Sequence, residues 1–70
     1  MISIHIDTNR QDLAYTAYLP HAPEVEFVWE GEFTRPLIRA VLKDQEQPQA
    51  RVCMEGSYVG VFDYKNGWVN

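Results

Sequence analysis

The sequence predicts an α+β domain in which one helix packs on one face of a small, mostly antiparallel sheet, in the order β-β-β-α-β-β. Two observations indicate this class. Five stretches have the period-two alternation, or the β-branched and aromatic content, that is typical of strands. One further stretch, between Thr34 and Pro48, repeats apolar residues every three or four positions, as one helix face does. We expect residues 1–70 to form a single domain.

The first two predicted strands form a hairpin. Ile2, Ile4 and Ile6 alternate with polar residues, which favours a half-buried strand. Residues 13–19 follow a polar turn and form the second strand, because tyrosine and threonine prefer strands. A helix over 11–19 stays open as an alternative, since alanine and leucine accept either state.

Residues 24–33 form the third predicted strand, and they contain the most unusual pattern in the chain. Their apolar and aromatic side chains fall mostly on odd positions, with Val28 as the exception. Even positions carry carboxylates, which we call the acidic row: Glu24, Glu26, Glu30 and Glu32. Because alternate residues of a strand point to opposite faces, one face of this strand is predicted to be acidic.

A helix and two more strands complete the prediction. Thr34 is a suitable helix N-cap, and Pro48 stops the helix. Its apolar face is predicted to consist of Leu37, Ile38, Val41 and Leu42. Residues 50–55 and 58–64 then form strands joined around Gly56 and Ser57, and 66–67 form a two-residue turn before a stub of edge strand.

Composition limits the classes of function. The net charge is −4, and residues 24–33 supply four negative and no positive charges, so a basic partner is favoured over nucleic acid or anionic lipid. The single cysteine, Cys53, excludes an internal disulfide. No stretch is apolar enough to span a bilayer, and residues 1–7 do not form a signal peptide. We therefore expect a cytoplasmic protein, with a homodimer through a sheet edge as an option.

No arrangement of residues predicts catalysis, a cofactor or a metal site. His5 and Asp7 share a strand face, but a third ligand would have to come from a distant Glu, His21 or Cys53. A thiol nucleophile needs a base within reach, and Cys53 lies between apolar neighbours that predict a buried or half-buried side chain. A small enzyme is therefore the least favoured of three functional classes.

The acidic row predicts the site that we favour. Carboxylates on alternate strand residues lie about 6.6 to 6.8 Å apart, a regular line of negative charge that could occupy a basic nucleic-acid-binding groove of another protein. The simpler interpretation is that the acidic row covers the wet face of a sheet or protects an edge from self-pairing, and the concentration of charge is what argues for a site.

The second functional class is a nucleic-acid-binding domain that uses the helix. Arg35, Arg39 and Lys43 follow one another at intervals of four, and we call them the basic stripe. This stripe could contact phosphates. Asp44 and Glu46 dilute its charge, which makes a solvated helix face the simpler interpretation.

In size and acidic character the chain is similar to small accessory proteins of phages and mobile elements, a likeness that assigns no residue. Our leading interpretation is a non-enzymatic protein-binding module that acts through its acidic strand face. Its sharper form is an inhibitor that mimics nucleic-acid charge, as an anti-defence or anti-CRISPR-like protein would.

Overall fold

The computed structural model describes residues 1–8, 15–29 and 34–69. The described elements are β1 (Ile2–Asp7), β2 (Tyr15–Leu19), β3 (Ala22–Trp29), α1 (Thr34–Asp44), β4 (Gln49–Met54), β5 (Ser57–Asp63) and β6 (Gly67–Trp68). The α+β class is confirmed, but the predicted order lacks the last strand. Trp68 packs edge-on against Phe62, with ring centroids 5.1 Å apart, and this contact holds the two-residue β6 on the sheet.

The six strands form one sheet in the order β3-β2-β1-β4-β5-β6. β1 and β4 lie at its centre and run parallel, with Ile4 opposite Val52 in register. The other neighbouring pairs are antiparallel, as predicted for most of the sheet. β3 and β6 are the edges, so the connection through α1 carries the chain from one edge strand back to the centre.

The helix and the central strands form the core. The predicted apolar face of α1 is fully buried. It packs with the sheet side chains Ile4, Ile6, Ala17, Leu19, Ala50, Val52 and Phe62. Val25, Phe27 and Trp29 of β3 are half-buried against the same cluster. One face of the sheet is therefore closed by the helix.

One strand boundary differs from the prediction within the described residues around β3. Tyr15–Leu19 is a strand, which settles the strand-or-helix alternative for those residues. β3 begins at Ala22, because only Pro20 and His21 form the turn from β2. Pro23 consequently lies within the strand, a position that an edge strand tolerates because one side of its backbone needs no hydrogen bonds.

The helix ends in a Schellman motif. The N–H of Gln47 donates to the carbonyl of Leu42 at 2.9 Å, and the N–H of Glu46 donates to the carbonyl of Lys43 at 3.2 Å. Glu46 adopts a φ of 53°, the left-handed conformation that glycine usually takes at this position. Pro48 follows the cap, so the chain leaves the helix through Glu46 before the proline is reached.

The two C-terminal turns also differ from the prediction. Glu55 and Gly56, with φ of 52° and 81°, connect β4 to β5, so the turn lies one residue earlier than Gly56 and Ser57. Between β5 and β6, Gly67 has a φ of 79° and already pairs with Asp63. Residues 64–66 form that turn, rather than 66–67.

Across the described ranges 1–8, 15–29 and 34–69, no helix has the length and apolar character needed to cross a membrane.

Candidate functional site

The face of the sheet away from α1 carries the most concentrated polar chemistry, and we call it the open face. The helix packs on the opposite face, and it is the one described element that lies outside the sheet. Strand alternation places His5, Tyr18, Glu26 and Cys53 on the open face. This face is the candidate site.

Register aligns five of its residues across the sheet. From the β3 edge inward they are Glu26, Tyr18, His5, Cys53 and Tyr58, each the direct partner of the next. We call this line the transverse row. The transverse row thus brings together groups from five different strands: a carboxylate, two adjacent aromatic rings, a thiol and a second tyrosine.

The middle of the transverse row is a ring pair. The rings of His5 and Tyr18 stack with centroids 5.3 Å apart and an interplanar angle of 30°. They form one wall of a cavity of about 310 Å³, whose lining also includes Asp7, Glu55 and Gly56. Aromatic faces and carboxylates therefore meet in one concave place.

The β4–β5 turn completes this cavity. The N–H of Glu55 donates to the carbonyl of Ile6 at 3.1 Å, which fixes the turn against the end of β1. The Glu55 carboxylate accepts hydrogen bonds from both the backbone N–H and the hydroxyl of Thr8. These bonds hold the carboxylate beside the end of the strand that carries His5 and Asp7.

The acidic row falls only partly within the described residues. Glu24 and Glu26 are exposed on β3, and Val25, Phe27 and Trp29 alternate with them toward the core, as predicted. Val28 shares the outward side and is 53% exposed. Glu30 and Glu32 lie outside the described residues. The acidic side of β3 continues the open face at its edge.

The basic stripe is divided by its contacts. Arg35 and Lys43 are exposed. Arg39 instead lies 5.2 Å above the ring of Phe62, and its Nε donates to the carbonyl of Tyr64 at 3.2 Å. The middle residue of the stripe therefore fastens the helix to the β5–β6 turn.

A larger cavity of about 400 Å³ lies at the C-terminal end of α1. Its charged lining residues are Lys43, Lys65, Glu46 and Asp63. Two positive and two negative groups give it no charge preference. The Asp63 carboxylate is also occupied, since it accepts hydrogen bonds from the N–H groups of Lys65 and Asn66 at 2.8 and 2.9 Å. We therefore do not take this cavity as the site.

The sequence does not predict that His5 and Cys53 are neighbours. Because β1 and β4 are parallel and separated by three elements, no spacing in the sequence reveals that these two residues are register partners. Cys53 is half-buried, as its flanking residues indicate. Within the described part of the chain, no group of three or more His, Cys, Asp or Glu side chains could hold a metal ion.

The chain matches no protein-family model, no curated protein and no solved structure.

Proposed function

We propose that this domain is a non-enzymatic binding module that binds a basic protein through its open face. The observation that supports this proposal best is that the acidic row adjoins the aromatic pair on the open face. Glu26 of the acidic row is the direct cross-strand partner of Tyr18, which stacks on His5. The charge of the β3 edge and the aromatic pair therefore form one surface, with no core residue between them.

Charge favours a basic partner. Glu24, Glu26, Asp7 and Glu55 all border this part of the open face. Arg51 is exposed on the same face, but two residues along β4 from Cys53 and toward the opposite end of the strands. A surface with one sign of charge steers an oppositely charged partner and raises the rate of association.

The sharper form of the proposal is that the partner is a nucleic-acid-binding protein. Glu24 and Glu26 are alternate exposed residues of β3, beside the shift in register between β2 and β3, and basic grooves that follow a phosphate backbone accept neighbouring negative charges. Occupying that groove would exclude nucleic acid, which is how an inhibitor of a phage or mobile-element type would act.

We do not extend the proposal to self-association through β3. Antiparallel pairing of two β3 edges would bring the acidic sides of both copies together, and like charges directly opposite one another destabilise a strand pair. The neighbouring carboxylates Glu24 and Glu26 thus disfavour a second copy and favour a basic partner.

Affinity capture with charge-matched variants tests the proposal. One bait carries Glu24→Gln and Glu26→Gln, and a control bait carries Asp44→Asn and Glu46→Gln at the exposed end of α1. Both variants change the net charge of −4 by the same two units. We expect wild type and control to retain the same basic protein from the native host, and the β3 variant to lose it.

Nuclease treatment of the extract separates protein binding from bridging by nucleic acid. Capture that survives nuclease supports the proposal. Capture that depends on nucleic acid, or that all three baits share equally, would contradict it.

A further inference from the structure

We infer that the cavity between His5, Tyr18, Asp7 and Glu55 is a recognition pocket for an arginine side chain of the basic partner. This inference rests on the proposed function and deepens it, because it names the group that the open face recognises. The evidence is a concave site in which a stacked ring pair and two carboxylates converge.

The size of the cavity limits its occupant. Sites for whole cofactors and drug-sized ligands span about 300 to 1,000 Å³. At about 310 Å³ this cavity lies at the bottom of that range and has room for a single side chain. It opens on the open face beside Tyr18, the residue that Glu26 adjoins in register, so a side chain that projects from a bound partner can reach it.

The chemistry of the lining selects a guanidinium group. The planar guanidinium stacks on aromatic faces and donates hydrogen bonds to carboxylates in a fixed fork. Tyr18 offers the face, and Asp7 and Glu55 offer the carboxylates. The Glu55 carboxylate accepts bonds from the N–H and the hydroxyl of Thr8, and these bonds hold it at the cavity wall. A lysine ammonium would gain the charge without the planar match.

Three small probes test the pocket by NMR titration of the isotope-labelled protein: the N-acetyl amides of arginine, lysine and citrulline. Arginine amide should shift the backbone resonances of His5, Asp7, Tyr18, Glu55 and Gly56. Lysine amide should bind about five- to tenfold more weakly, because it lacks the stacked and forked contacts. Citrulline has the shape without the charge and should produce no shifts there.

Variants of the protein test which residues bind arginine amide. Tyr18→Leu should reduce the affinity for arginine amide about five- to tenfold while the remaining spectrum shows a folded protein. Asp7→Asn should weaken binding several-fold, and Asp44→Asn, which removes the same charge from the end of α1, should not. Equal shifts for arginine and lysine, or shifts in Tyr18→Leu as large as in wild type, would overturn the inference.

The two proposals fail separately. If the probes leave the pocket unperturbed but capture still depends on Glu24 and Glu26, the pocket is wrong and the binding face stands. If arginine amide binds as expected and no protein depends on the β3 carboxylates, the assignment of the acidic side of β3 is wrong.

Discussion

The two faces of the sheet are built from the same strands but have opposite chemistry. Toward the helix, Ile4, Val52 and Phe62 are completely buried. Away from it, their neighbours along the chain are His5, Cys53 and Val61, which remain partly exposed. Because a period of two separates these faces, residues that fold the domain and residues available for binding alternate along every central strand. Substitutions on one face should therefore leave the role of the other intact.

Thr16 is the exception to this division. It lies on the open face by register, yet it is as inaccessible as the core residues. Its hydroxyl has no hydrogen-bond partner among the described residues, and a buried hydroxyl without a bond costs stability. Because Thr16 is buried on the open face, a substitution there can affect both folding and binding.

The largest expected effect is a loss of stability on the face of the sheet that α1 covers. Leu42→Ala should lower the free energy of unfolding by about 2 to 4 kcal/mol, because Leu42 is fully buried between helix and sheet. Tyr58→Thr on the open face, where the side chain is 57% exposed, should cost less than about 0.5 kcal/mol. Chemical denaturation of both variants measures the contrast. Similar losses would show that the open face also contributes to folding.

The next largest effect is expected at Arg39, at the edge of the sheet face that α1 covers. Arg39→Ala should destabilise the protein by about 1 to 2 kcal/mol, because the guanidinium lies over Phe62 and bonds the carbonyl of Tyr64. Arg35→Ala, which removes the same charge from an exposed position one turn earlier, is the matched control and should cost less than about 0.5 kcal/mol. Equal costs in urea unfolding would indicate that Arg39 is solvated like the rest of the basic stripe.

A smaller effect of opposite sign is expected at Thr16. Thr16→Val keeps the shape of the side chain and removes a hydroxyl that bonds to no other part of the described chain, so it should raise the free energy of unfolding by about 1 kcal/mol. Thr16→Ser retains the hydroxyl and should not stabilise. If the valine variant is less stable than wild type, the hydroxyl has a partner in solution.

The smallest effect is a pH dependence at the β5–β6 turn. The N–H of Asn66, followed by the Gln49 amide and the N–H of Lys65, lowers the pKa of Asp63 from its ordinary value of 3.8. Since the folded pKa is below the unfolded one, the contribution of Asp63 to stability is present above pH 3.8 and is lost as the pH falls through the folded pKa. Asp63→Asn should weaken this acid dependence in denaturation curves measured across that range. If the stability of Asp63→Asn falls with acid as steeply as that of wild type, Asp63 does not contribute in this way.

Local patterns predict most of the fold. The buried side of α1, the strands that include Ile4 and Phe27, and the general α+β class follow from periodicity, because burial selects residues at the spacing of each element. The order of strands does not follow, since pairing β1 with β4 depends on the path of the chain through α1 and not on either strand's own residues.

The candidate site is predictable to a lesser degree. The acidic side of β3 can be read from Glu24 and Glu26, because both lie on one strand. The pocket cannot, because Tyr18, His5 and Glu55 meet only through register and a turn whose position differs by one residue from the expected one. Arg39 shows the same limit. Its spacing indicates a helix stripe, but its contacts are with a distant hairpin.

The most direct test of the binding face is the association rate of the captured partner with the charge-matched variants across a salt series. Glu24→Gln/Glu26→Gln should slow association and flatten its salt dependence, because these carboxylates supply the attraction at a distance. Asp44→Asn/Glu46→Gln should leave both close to wild type, with all three proteins equally folded. If both double variants change the association rate and its salt dependence alike, net charge alone governs association. If neither does, the β3 carboxylates supply no steering. Either result would mean that the open face is not the site.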